Sequence, residues 1–117
     1  MTPAILSSST LIGDDIVGRE EKNLGSLKDI MLDLPSGTVA YAVLARGGFG
    51  GMGEKLFAVP WSLLEVDGDN ERLLLDIDEE VLDDSPGFDP DHWPFSDVEW
   101  RRSVDEHFGV GRRVGTI

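Results

Sequence analysis

No cysteine occurs among the 117 residues. Disulfides, thiolate nucleophiles and cysteine-held zinc are therefore outside this chain's chemistry. Long apolar runs are missing too: none approaches the ~20 residues that a membrane-spanning helix needs. The first residues, Met1, Thr2, Pro3, Ala4, Ile5 and Leu6, carry no basic stretch and no extended apolar core, so they do not read as a signal peptide. The expected location is the cytoplasm, with no membrane partner. Basic residues are scarce, 10 against 23 acids, for a formal charge of −13. The imbalance is regional. Residues 65–106 hold sixteen of the acids and only Arg72, Arg101 and Arg102 as bases. Such a field repels phosphate backbones and anionic lipid. No aromatic-and-basic interleaving offers a stacking platform, so nucleic acid is not an expected partner.

What is present is a series of short two-faced extended runs. Residues 10–18 read as a short strand, a turn and a second apolar pair. In residues 27–34, Ile30, Leu32 and Leu34 share one face, and Asp29, Met31 and Asp33 the other. Pro35, Ser36 and Gly37 supply a turn. Residues 38–45 are apolar on both faces, which predicts a central strand covered on both sides. Residues 55–61 form the next strand, with Pro60 expected at an edge, end or bulge because it has no N–H to donate. Asp67, Gly68, Asp69 and Asn70 signal a turn before a returning strand at 72–77. Residues 78–84 suit a short helix capped by Asp78 or a neighbour. Short connections imply an antiparallel meander, and closure would remove exposed edges. The expected fold is thus mostly β: a small antiparallel β-barrel over 9–84, with a short helix or an irregular extension over 85–100 anchored by aromatic residues. Residues 101–117 read as a flexible tail.

Motifs that could carry chemistry fail on context. Gly48, Gly50 and Gly53 satisfy a G-x-G-x-x-G pattern, but a proline-containing strand follows where a phosphate-binding helix would have to start. Asp67, Asp69 and Glu71 resemble half of a calcium loop, yet Arg72 stands where its glycine is required. His92 and His107 share no metal-binding spacing, and the serines lack a nucleophile elbow. No catalytic, cofactor-binding or metal residue is assigned, and no cofactor is expected. The residues that stand out are apolar: Phe49 and Met52 in the glycine-rich tip, then Phe88, Trp93, Phe95 and Trp100 among acids and prolines. Large aromatic residues held outside regular elements often fill interface cores. These six are the candidate interface.

Several segments together resemble a stand-alone PRC-barrel domain. They are residues 11–13 with Ile16 and Val17, 23–33, 37–44, the glycine-rich tip through Gly53, and 55–61. Residues 85–89 with Trp93 and Pro94 resemble a segment that follows the barrel in many stand-alone members. The family also supplies the barrel of the photosynthetic reaction-centre H subunit and of a ribosome-maturation factor. The resemblance covers roughly residues 9–100 and implies a barrel adaptor without catalytic residues, one that often assembles with itself or with other proteins. The expected function is a non-catalytic protein–protein interaction or structural adaptor module, self-associating as a homodimer or bound to another protein. The alternative is a small-molecule or divalent-metal-binding module. A single domain of this length has a thin core margin, and a homodimer would bury an apolar face that one barrel leaves open.

Overall fold

The computed structural model describes residues 4–47 and 53–109. The chain opens with a short helix, α1 (Ser8–Leu11), and a strand, β1 (Asp15–Val17). Two long strands follow, β2 (Asn23–Asp33) and β3 (Thr38–Arg46), then β4 (Lys55–Pro60). After a single 3-10 turn come β5 (Leu64–Asp67) and β6 (Arg72–Leu75), helix α2 (Glu79–Asp83), β7 (Gly87–Phe88) and helix α3 (Val98–Phe108).

The two-sided apolar pattern of β3 has a direct structural counterpart. Ala42 and Leu44 turn to an inner core with Phe57, Val59, Leu73 and Leu75. Tyr41, Val43 and Ala45 turn to an outer core with Leu56, Ala58, Phe88 and Val104. Antiparallel pairing sets the two strands in register, Leu44 opposite Phe57 and Val43 opposite Ala58. Pro60 is the last residue of β4, where its missing N–H costs the ladder least. Gly37 closes the β2–β3 turn at φ 72°, with its N–H on the Asp33 carbonyl at 2.8 Å.

The expected antiparallel barrel is not what forms. The strands make one open, mixed, seven-stranded sheet in the order β5-β6-β1-β2-β3-β4-β7, and β1 runs parallel to β6. Parallel neighbours need a long return path. The chain has one, because β2 through β5 lie between β1 and β6 and act as the crossover. The edge strands β5 and β7 have four and two residues and do not pair with each other. Short edge strands are one way a sheet limits exposed pairing groups without closing.

Helix α3 runs past residue 100 into residues 101–108, which the sequence assigned to the tail. Asp97 caps its start: its Oδ1 accepts from the Glu99 and Trp100 N–H groups at 3.0 and 3.2 Å. Gly109 ends it in the left-handed conformation, φ 73°. Trp100, Val104 and Phe108 recur every fourth residue along the helix and pack on the outer core, and Phe108 also reaches the inner one. This also corrects the homodimer. A thin core, the apolar glycine-rich tip and the aromatic segment were the reasons to expect one, but α3 and the aromatic segment cover the outer face of β3 and β4 within a single chain.

Candidate protein-interaction surface

Four of the candidate interface residues come together. Phe88 is the hub, with ring centroids 5.4 Å from Trp93, 5.7 Å from Phe95 and 5.6 Å from Trp100. Their edge-to-face geometry is the one aromatic quadrupoles favour. Phe88 is buried and pairs with Leu56, which fixes the cluster to β4. Trp93 keeps 36% of its surface exposed and donates its indole N–H to the Pro90 carbonyl at 2.7 Å. Phe49 and Met52 lie outside the described residues. After Gly53 the chain enters β4, a strand, so the glycine pattern has no following helix.

Tyr41 ties the sheet to α3. Its hydroxyl donates to Asp105 Oδ1 at 2.8 Å. Burial, and then the hydrogen bond to Asp105, push the phenol well above its ordinary range. A raised phenol pKa means that folding favours the neutral form. That contribution is complete below the unfolded value of about 10 and is lost as pH rises beyond it. Tyr41→Phe should lower stability by about 1–2 kcal/mol at neutral pH. It should also flatten the decline above about pH 10, as denaturant melts at several pH values would show.

A second surface is built from β2 and β3. Strand β1 pairs with β2 no further along than Ser26, and the adjoining loop reaches only Leu27, through Gly13 N–H to Leu27 O at 2.8 Å and Leu27 N–H to Asp14 O at 2.9 Å. Strand β4 pairs with β3 only from Tyr41 onward. Asp29, Ile30 and Met31 lie opposite Val43, Ala42 and Tyr41, which β4 also joins; only Leu32 and Asp33, with Val39 and Thr38, pair with each other and with no other described strand. They form a two-stranded arm that runs past the rest of the sheet. The β2–β3 register shifts at Leu27/Asp29 and again at Met31/Leu32, where the arm begins. Ile30, at its root, is half-buried against the inner core. Leu32 and Leu34 are 62% and 81% exposed. The sequence expected these three on one face of a strand over 27–34, but β2 ends at Asp33 and Leu34 falls in the turn, and alternation cannot show where a strand outruns its neighbours.

The electrostatics around these surfaces are one-sided. Arg19 holds Asp76 at 2.8 Å, and Arg72 holds Asp67 and Glu21 at 3.0 Å. Arg46 bridges β3 to α2 through Glu79 and through Asp83 at 3.0 Å. Lys28 reaches Glu54 at 3.7 Å. Hydrogen bonds from Asn70 and then Arg72 hold the Asp67 carboxyl below its usual range, whereas burial, with Glu71 and Asp15 nearby, raises Asp14. With so many bases engaged, the excess acids have little internal compensation. Along β2, Asp29 and Asp33 are exposed and no ion pair joins either to a described base. Among the described residues, no group of three or more His, Cys, Asp or Glu is placed to hold a metal ion. An open groove bounded by Asp15, Asn23, Gly25, Ser26 and Arg46 has its one arginine already committed to α2. No helix among the described residues is long and apolar enough to cross a membrane.

Among solved structures, the chain is similar to a protein assigned to 16S ribosomal RNA processing, RimM of Pseudomonas aeruginosa, at 14% identity and a TM-score of 0.45. The match covers 64% of this chain and 45% of that one, so this chain spans less than half of that protein. No curated protein matches. The PRC-barrel domain model matches residues 4–82, more than half of the sequence, and the chain therefore belongs to the PRC-barrel domain family.

Proposed function

We propose that this chain is a non-catalytic protein–protein interaction module that docks on its partner through the β2–β3 arm. The family is one of non-catalytic modules, generally held to mediate protein interactions. The observation that carries the reading is the exposure of Leu32 and Leu34 on a ribbon that no third described strand supports. A two-stranded ribbon is marginal on its own in water. Leaving a leucine exposed forgoes roughly 1.5–3 kcal/mol of burial. A partner lying over the arm would recover both terms.

The test is affinity capture from the source cell with the wild-type chain and with Leu32→Ser/Leu34→Ser. The two side chains are exposed, so the melting temperature should hardly move. A protein retained by the wild type should be retained about ten-fold less by the variant, the equivalent of ~1.4 kcal/mol. Equal retention by both would remove the arm from the function.

A further inference from the structure

We propose that the partner contributes an extended segment, alternating Lys or Arg with β-branched residues, that adds as a strand to the outer edge of β2 over residues 28–33. This rests on the interaction-module reading and names the partner's chemistry. The edge is available: between Leu27 and the turn, β2 is paired on the β3 side only. The Ile30 N–H has no strand to bond and instead donates to the adjacent Asp29 Oδ1 at 2.7 Å. A carboxylate standing in for a missing strand is easily displaced, because the exposed Asp29 loses only a local contact when it swings away.

The side chains along this edge specify what fits. Asp29 and Asp33 alternate with Ile30 and Leu32. An added strand would set its own residues directly opposite these, at the spacing where unlike charges and apolar pairs stabilise and like charges repel. Lysine or arginine opposite Asp29 and Asp33, with valine or isoleucine opposite Ile30 and Leu32, satisfies all four positions. A basic residue opposite Asp29 would also draw its carboxylate from the Ile30 amide and free that N–H for the incoming backbone. Main-chain bonds then supply affinity and alternate side chains supply specificity. A second copy of this chain is a poor occupant, since pairing β2 with itself crowds aspartates on both strands in a molecule of charge −13.

The probe is a short capped peptide alternating lysine and valine, titrated into the isotope-labelled full chain. A peptide of equal composition, with its lysines and valines in separate blocks, serves as control. Strand addition predicts slowed exchange of the Ile30 and Leu32 amides and at least about ten-fold weaker binding of the blocked peptide. It also predicts about ten-fold loss in Asp29→Lys/Asp33→Lys, from two cross-strand charge pairs inverted. Asp29→Asn/Asp33→Asn should fall between that variant and the wild type. Binding with protection elsewhere on the chain, or equal binding of both peptides, overturns strand addition and leaves the arm's docking role to the serine variants. Failure of the alternating peptide to bind overturns it as well.

Discussion

Gly25→Ala should destabilise this fold more than any other single methyl addition among its described glycines. Gly25 sits in β2 at φ +147°, where L residues are rarely found. A Cβ there would collide with the Ala45 carbonyl oxygen and stand 2.7 Å from Leu44 Cδ2. Neither neighbour can step aside cheaply. Ala45 pairs with Ser26 on one side and Leu56 on the other, so moving its carbonyl disturbs both ladders. Leu44 is fully buried in the inner core. Backbone strain of about 1–2 kcal/mol and overpacking of about 1–3 kcal/mol add to roughly 2–5 kcal/mol. Against a total of about 5–15 kcal/mol for a domain, that should lower the melting temperature by roughly 10–20 °C. Gly37→Ala is the control. Its φ of +72° carries the strain, but nothing lies within 4 Å of the added carbon, so only about 1 kcal/mol should be lost. Equal effects of the two substitutions in a thermal melt would show that the close approach to β3 is not what requires glycine at Gly25.

That contrast also marks how far the sequence could be read. Which segments extend, and which faces are apolar, follow from residue type at a spacing of two, so β3 and β4 were legible. Pro60 at a strand end and the turn at Gly68–Asn70 followed from backbone chemistry alone. The β1–β6 pairing was not legible. It joins Ile16 to Leu73 across nearly half of the chain, and no local signal encodes a parallel neighbour that distant. Helix α3 was legible in principle. Asp97, the fourfold spacing of Trp100, Val104 and Phe108, and Gly109 are a start, a stripe and a stop. The seven other residues between Val98 and Phe108, mostly charged or polar, hide a stripe one residue wide. The arm was half legible: its alternation was visible, but its exposure depends on where β1 and β4 stop. The same holds for Phe88, Trp93, Phe95 and Trp100. Their prominence was plain, while their mutual packing depends on β7 reaching Leu56.

Val104→Asp should separate the two cores. Val104 is the α3 residue with no exposed surface, set in the outer core with Tyr41, Val43, Leu56 and Phe88. An aspartate there is either ionised without a partner or protonated against its ordinary preference, and burial opposes both. The cheapest escape is for α3 to leave the sheet. That would break the Tyr41–Asp105 hydrogen bond and the contact between His107 Nε2 and the Val81 carbonyl. It would also strip Trp100 from Phe88 and Phe95. The inner core, with Ile16, Leu24, Leu44, Leu73 and Leu82, contains none of these groups and is touched by α3 through the partly buried Phe108 at the helix end. The expected product therefore keeps a strand-dominated far-ultraviolet spectrum and loses near-ultraviolet aromatic signal. It should bind a hydrophobic dye through the uncovered face of β3 and β4. Val104→Ala removes two carbons without adding charge and should cost only about 2 kcal/mol, with α3 in place. The prediction fails if Val104→Asp melts like the wild type. It fails equally if both spectra collapse together, because the two faces of β3 would then be a single cooperative core that loses its inner half whenever α3 detaches.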